Sequence, residues 1–252
     1  METTTQPSQT LSIIIPCYNE EEGIPQLERQ LPPVLESLMA QWRLDVIFVD
    51  DGSKDATYAL LQAAFGKLPY VRIIRHERNQ NLGAAMRTGF AAAQGDVIVT
   101  MDSDCTYPPA EIMQMLALLD SQTDLVTASP YHPLGRVENV PGYRLVLSKS
   151  ISWLYRLLTG AKIHTFTALF RVQRRAVVEN VHFKSDNFLA TAEMLIHAIF
   201  QGYHVKEFPT TLHVRQYGVS KMRLLKVIKS HGIFLLHLLP IAVRRRLTLG
   251  KK

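Results

Sequence analysis

Two aspartates one residue apart, Asp102 and Asp104, end the apolar run Val97-Ile98-Val99-Thr100-Met101. Carboxylates this close repel unless a cation sits between them or one keeps a proton. An oxygen-liganding divalent ion that also holds a diphosphate suits such a pair. The plainer alternative is a loop acid and a helix cap for Pro108-Pro109-Ala110-Glu111. Acids recur in the same kind of place. Glu20 follows Leu11-Ser12-Ile13-Ile14-Ile15-Pro16, and Asp50-Asp51 follow Leu44 to Val49. Further along, Arg144 and Ser148 are four residues apart, beside Lys149. That spacing puts a guanidinium and a hydroxyl on one helical face, where a phosphate can be received. Arg215 and Lys221 enclose a Gly and a Ser in Arg215-Gln216-Tyr217-Gly218-Val219-Ser220-Lys221, and two cations around such a loop suit a diphosphate. Glu193 is a candidate general base or a structural acid.

These groups need elements that bring them to one place. Leu11 to Pro16, Leu44 to Val49, Val71 to Arg75 and Val97 to Met101 read as strands, the first and last lacking the polar alternation of a half-exposed strand. Between them lie helical stretches from about Glu21, through Ala56 to Phe65, and from Ala84 to Ala93. Four strands alternating with helices predict a parallel, right-handed α/β sheet. In such sheets ligands bind at the carboxyl ends of the strands. Acids at three strand ends therefore favour the metal and nucleotide reading over a helix cap. Leu125 to Ala128 is read as a further strand, Arg144 to Leu158 as a helix, Asn187 to Gln201 as a helix, and Val205 to Leu212 as strand-like.

The chain has 252 residues, 47% hydrophobic and 20% charged, which fits one large globular domain. Residues 1–10 are expected to be flexible, 11–221 to form the main domain, and 222–252 to form a basic amphipathic segment. Two cysteines, Cys17 and Cys105, suit a reducing, cytoplasmic compartment. The start has no apolar signal-like core, and no uninterrupted apolar run reaches the ~20 residues of a membrane span. A net charge of +6 suits a polyanionic partner. The nine histidines lack zinc-like spacing, and no glycine-rich phosphate loop with a Lys-Ser/Thr occurs. The basic residues gather in the Arg215–Lys221 loop and the tail rather than in an aromatic-interleaved stripe, so nucleic acid is not the expected partner. In the tail, Gly232 to Val243 is apolar and framed by Arg223, Lys226, Lys229 and Arg244-Arg245-Arg246. Short helices of this kind suit an anchor lying on an anionic leaflet, with Pro240 breaking or kinking it. Packing on the domain or a dimer contact is the alternative.

The motifs Ile15-Pro16-Cys17-Tyr18-Asn19-Glu20, Val49-Asp50-Asp51-Gly52-Ser53, Asn81-Leu82-Gly83 and Asp102-Ser103-Asp104, in this order and spacing, resemble the family 2 nucleotide-sugar glycosyltransferases of the GT-A type. The resemblance implies a mostly parallel, Rossmann-like α/β sheet with helices on both faces, followed by C-terminal amphipathic helices. It implies a donor-nucleotide site of Pro16, Tyr18, Glu20, Asp50, Asp51 and Asp102, with Arg215 and Lys221 on the diphosphate. Tyr18, Glu20 and Asp51 fit guanine or uracil alike. It implies Mg²⁺ or Mn²⁺ at Asp102, Asp104 and Thr106, where Thr106 stands in the place of a frequent Gln.

Arg144-Leu145-Val146-Leu147-Ser148 narrows the resemblance to dolichyl-phosphate mannose synthase-like enzymes, which transfer a sugar to a polyprenyl phosphate. In that light Arg144 and Ser148 would bind the acceptor phosphate, and Asp104, Arg144, Ser148 and Arg215 would form the catalytic group. A further Arg of the subfamily is Pro130 here, for which Arg136 or Lys149 would substitute. The acidic pair of hydroxyl-transferring relatives is incomplete, because Ala192 precedes Glu193. A phosphate monoester is already anionic near neutral pH and needs no such base. The expected activity is inverting transfer of a hexose, mannose from GDP-mannose, to a polyprenyl phosphate at the cytoplasmic face of a membrane. The alternative is a UDP-sugar with a sugar-hydroxyl acceptor and Glu193 as base.

Overall fold

The computed structural model describes residues 9–214 and 224–249. In chain order these form β1 (Thr10–Cys17), α1 (Ile24–Met39), β2 (Arg43–Asp50), α2 (Thr57–Phe65), β3 (Val71–Arg75), α3 (Leu82–Ala92), β4 (Val97–Thr100), α4 (Ile112–Ala117), β5 (Leu125–Ser129), β6 (Arg136–Val137), α5 (Gly142–Thr159), β7 (Arg171–Arg174), α6 (Arg175–Asn180), α7 (Leu189–Phe200), β8 (Val205–Pro209), β9 (Thr211–Leu212) and α8 (Leu224–Leu249). The main sheet has seven strands in the order β3-β2-β1-β4-β7-β5-β8. The first four in chain order are parallel, as expected, and β5 pairs with β8 in parallel.

One strand departs from the expected parallel sheet. β7 runs antiparallel between β4 and β5. Its sequence, Arg171-Val172-Gln173-Arg174, is too polar to read as a buried strand, yet Arg171 and Gln173 are each only 1% exposed. The region expected as one strand from Val205 is two, β8 and then β9, which pairs with β6.

Alternation along the strands builds the two layers. Leu11, Ile13 and Ile15 of β1 and Val46 and Phe48 of β2 pack under Leu27, Leu31, Leu35 and Leu38 of α1. Ile14, Ile47, Val49 and Ile98 face the other way, onto Ala85 of α3. Helices thus cover both faces, and the polar ends of β1, β2 and β4 emerge together.

Pro16 helps to open the edge between β1 and β4. Ile14 pairs with Thr100, and its carbonyl accepts from Met101 N at 3.1 Å. Pro16 occupies the next rung on that side and has no N–H to donate, so the ladder stops where β4 turns away. This is where the strand order reverses, from β1 back to β4, the place where open α/β sheets bind ligands.

The tail differs from its expected form. It is one helix of 26 residues that continues through Pro240. Within it Leu225–Arg244, 20 residues, is long and apolar enough to cross a membrane by length and composition. His231, Leu238 and Ala242 are buried along one face. Leu225, Ile228, Leu236, Leu239 and Val243 are exposed on the face beside it.

Candidate active site

The three expected acid-bearing strand ends converge. The thiol of Cys17 is buried, is pushed well up first by that burial and then by Glu20 and Asp50, and bonds to the side chain of Ser103. One side chain at the end of β1 thus senses the acids of β1 and β2 and touches the residue between Asp102 and Asp104. Cys105 senses the last pair: burial, then Asp104 and Asp102, push its thiol up to about 12. Both cysteines are free and buried. They pack and do not act as nucleophiles.

Each acid is held in its own way. Asp50 is fully buried, accepts from Ser53 N at 3.1 Å through Oδ1, and has Oδ2 3.1 Å from Arg75 Nε in an ion pair without hydrogen-bond geometry. Asp51 accepts from His76 Nδ1 at 2.7 Å, Gln80 N at 2.8 Å and Asn79 Nδ2 at 2.8 Å. Burial raises its pKa, while Gln80, His76 and the backbone of Asn81 pull it back down. Gly52 between this pair and Ser53 has φ +68°, and a Cβ there would come within 2.4 Å of the backbone of Arg78, so the turn requires glycine. Asn19 joins β1 to this turn, with its N–H on Ser53 Oγ at 2.9 Å and its Oδ1 accepting from Lys54 N at 2.9 Å.

Strain collects at the same edge. Asn19, Asn81 and Cys105 have positive φ values of 51°, 73° and 53°. Asn81 also has ψ 170°, a region almost restricted to glycine. Such conformations cluster where a backbone group must be aimed; here the backbone of Asn81 meets Asp51. Cys105 makes the corresponding turn after Asp104, whose Oδ1 accepts from Thr106 N at 3.1 Å. Thr106 thereby orients Asp104 through its backbone. The carbonyl of Thr106 accepts from His213 N at 3.0 Å, which brings the chain up to Val214 beside Asp104. A cavity of about 190 Å³ is lined there by Asp104, Cys105, Pro108, His213, Val214 and two glutamines of α1. Arg215 and Lys221 lie outside the described residues.

Asp102 and Asp104 are half-buried, as are Tyr18 and Glu20. Among the described residues no three His, Cys, Asp or Glu gather as a ligand cluster. Two carboxylates at a strand end offer hard oxygen donors, and a divalent ion held this way takes its remaining oxygens from phosphates and water.

A second group lies at α5. Ser148 Oγ is 3.2 Å from Thr167 Oγ1 and also bonds to the side chain of Tyr131. Lys149 Nζ stands 5.5 Å from the centre of the Tyr131 ring. Tyr131 therefore gathers Ser148 and Lys149 on one side of α5. Arg144 begins the turn before Ser148; its side chain lies outside the described residues. Arg136 is exposed on the small β6–β9 ribbon. Glu193 is buried, and its two oxygens accept from Lys184 N and Ser185 N, both at 3.0 Å.

The family profile for glycosyl transferase family 2 matches residues 12–181. The chain belongs to glycosyltransferase family 2. It is 35% identical over 226 residues to the polyprenol monophosphomannose synthase of Mycolicibacterium smegmatis, covering 87% of this chain and 83% of that protein. It is 33% identical to the dolichol-phosphate mannosyltransferase of Pyrococcus furiosus over 84% of this chain and 59% of that protein. In fold it is similar to the glucosyl-3-phosphoglycerate synthase of Mycobacterium tuberculosis, crystallised with Mn²⁺, UDP and phosphoglyceric acid, at a TM-score of 0.68 and 18% identity, covering 93% of this chain and 78% of that one.

Three parts of this glycosyltransferase escape a reading of motifs. His76 holds Asp51 from 25 positions away. Tyr131 draws the Ser148 group together. Arg171, in β7, is a buried cation that donates to the carbonyls of Thr191 at 2.7 Å and Phe166 at 2.9 Å. Burial lowers it to about 9, so it stays charged at neutral pH. The signal for His76 was its place: it directly follows β3, which pairs in parallel with the strand that ends in Asp50.

Proposed function

We propose that this family 2 glycosyltransferase moves a hexose, mannose from GDP-mannose, onto a polyprenyl phosphate with inversion. The observation that supports this best is the state of Glu193, which is buried with each oxygen accepting from a backbone amide. A base for a sugar hydroxyl must be reached by the acceptor, and burial keeps Glu193 from it. A phosphate acceptor needs cations and hydroxyls instead, and the α5 group of Ser148, Thr167 and Lys149 offers them. Relatives named as polyprenol and dolichol phosphate mannosyltransferases favour the same acceptor and sugar.

In this reading Tyr18, Glu20, Asp50 and Asp51 hold the nucleoside beside Pro16, and Asp102 meets the ribose and diphosphate. Asp102 and Asp104 hold Mg²⁺ or Mn²⁺, with Thr106 shaping the turn. The ion supplies charge for the departing diphosphate. The acceptor phosphate, held by Arg144 and Ser148, attacks the anomeric carbon. The bond from that carbon to the diphosphate oxygen breaks with its electron pair, and Arg215 and Lys221 receive the leaving group's charge. No proton transfer is required.

The acceptor's lipid tail needs an apolar exit. Tyr143, Val146, Trp153 and Leu157 are exposed along one face of α5, the helix of Ser148. With the exposed face of α8, they suit a peripheral seat on a membrane. The deciding assay incubates the full chain with GDP-mannose, UDP-glucose or UDP-galactose and a polyprenyl phosphate, with Mn²⁺ or with a chelator. Metal-dependent mannolipid is the expected product. Turnover that ignores the chelator, or a preference for a free sugar over the lipid phosphate, would overturn the reading.

A further inference from the structure

We propose that His76 is a positioning residue of the donor-nucleoside site, acting through Asp51. The proposal rests on the reading that Asp51 meets the nucleoside.

The imidazole is pinned from both sides. Nδ1 lies 2.7 Å from Asp51 Oδ1, and Nε2 lies 2.9 Å from Thr88 Oγ1 on α3. The His76 side chain is 8% exposed and that of Asp51 4%. A carboxylate only accepts, so Nδ1 carries the proton toward Asp51, and Thr88 donates its hydroxyl to Nε2 in the neutral ring. Three elements thus meet: the end of β2 at Asp51, the end of β3 at His76, and α3 at Thr88. His76 N also donates to Asp50 O at 2.9 Å, which ties the backbone of the clamp to the same strand end.

The arrangement exceeds what simple packing needs. Burial disfavours the anionic form of Asp51. An asparagine there would avoid that cost if the group served only the fold. Instead donors converge on it: His76, Asn79, Gln80 and the strained Asn81. They hold a buried carboxylate in one direction. An aimed anionic acceptor is what the ring N–H of a guanine or uracil base requires. Among these side-chain donors His76 is the one fixed by a further contact behind it. Its loss frees the carboxylate to rotate or take a proton, and its effect belongs in donor binding rather than in the chemical step.

The test uses the full chain with saturating Mn²⁺ and polyprenyl phosphate. Variants are His76→Asn, whose amide replaces Nδ1; His76→Gln, whose amide replaces Nε2; His76→Phe; and Asp51→Asn. GDP and UDP binding is read by calorimetry, and KM for the donor, KM for the lipid and kcat are read separately. We expect His76→Phe and His76→Gln to weaken nucleoside diphosphate binding and raise donor KM about tenfold, the size of a lost charge-assisted hydrogen bond. We expect kcat and lipid KM within about twofold of wild type, and His76→Asn within about threefold for every constant. Should His76→Phe fail to fold, the contrast between Asn and Gln carries the same test. Unchanged donor binding in His76→Gln, beside weakened binding in Asp51→Asn, overturns the role of His76 and leaves Asp51 in place. Unchanged binding in Asp51→Asn removes the premise and the proposal with it. A uniform loss of kcat and melting temperature in all three His76 variants, with donor KM intact, assigns His76 to the fold alone.

Discussion

Two carboxylates of the site differ in what replacement should do. Asp104 is aimed by a turn: Cys105 adopts a positive φ and Thr106 N donates to Oδ1. Asp104→Asn keeps that contact and removes a charge from the proposed metal pair. The expected result is a fall in kcat of about a hundredfold or more, the usual size for removing one group that stabilises developing charge, and a weaker apparent Mn²⁺ affinity. Steady-state assays across a Mn²⁺ series read both. Glu193→Gln is the contrast. It turns one of two acceptors facing Lys184 N and Ser185 N into a donor. That should lower stability by about 1–3 kcal/mol, the cost of an unsatisfied buried group, while kcat stays within about threefold. Arg144→Ala should instead cut kcat/KM for the lipid phosphate by about a hundredfold at unchanged stability. Thermal melts beside lipid-acceptor kinetics separate the two. If Glu193→Gln abolishes turnover without loss of stability and Arg144→Ala is silent, the acceptor is a hydroxyl.

At the scale of elements, legibility followed burial. β1 and β4 read directly because strands buried on both faces are apolar runs, β2 does so apart from Asp45, and acids mark the ends of all three. The β7 strand was illegible for the opposite reason. Its Arg171 and Gln173 are polar yet buried, and only the insertion between β4 and β5 explains their burial. His76 was legible only as a residue at the end of β3; its pairing with Asp51 crosses strands, and sequence spacing has no term for that. Pro240 misled: a proline costs a helix one hydrogen bond, but α8 continues because packing of Leu238 and Ala242 on either side holds it. That packing includes a polar latch. His231 Nδ1 is hydrogen-bonded to the hydroxyl of Tyr155 on α5 at 2.6 Å, and burial lowers His231 to about 4. Above an ordinary histidine value of about 6.5 both docked and undocked helices carry a neutral ring, and docking is at full strength. As pH falls from about 6.5 toward 4, the undocked ring takes a proton that the docked ring refuses. Docking should weaken across that window, by about 3 kcal/mol at its foot. Hydrogen exchange of residues 228–242, corrected for intrinsic rates, should therefore rise between pH 7 and 5. His231→Gln keeps an acceptor for Tyr155 and does not titrate, so its exchange should be flat over that range; an equal rise in the variant assigns the effect to another group.

For the whole molecule, the proposed chemistry faces two solvents at once: the nucleotide sugar comes from water and the acceptor's chain from a bilayer. The exposed apolar residues suit the proposed seat. Tyr143, Val146, Trp153 and Leu157 recur at helical spacing on α5, and Leu225, Ile228, Leu236, Leu239 and Val243 do so on α8. The two helices pack together through the Tyr155–His231 contact, so both faces move with the docked pair. Arg156 and Lys162 flank Trp153 and Leu157 around an open groove, and in the proposed seat these cations would meet lipid phosphates. Burying one such side chain contributes about 1.5–3 kcal/mol, and each cation near an anionic leaflet about 1 kcal/mol. Several of each give binding in the range of stable peripheral proteins without a spanning helix. Flotation of the full chain with vesicles containing 30% anionic lipid should recover most of it, and about 0.5 M salt should lower the recovery without abolishing it, because screening removes only the charge term. Trp153→Ser combined with Leu236→Ser removes one exposed side chain from each helix and no buried contact. That variant should bind vesicles about tenfold more weakly while its melting temperature and its kcat with a short, water-soluble polyprenyl phosphate stay unchanged. A variant that still floats in full, and releases only with detergent at every salt concentration, would mean that α8 leaves its groove and spans the bilayer; the His231 contact with Tyr155 would then exist only in water.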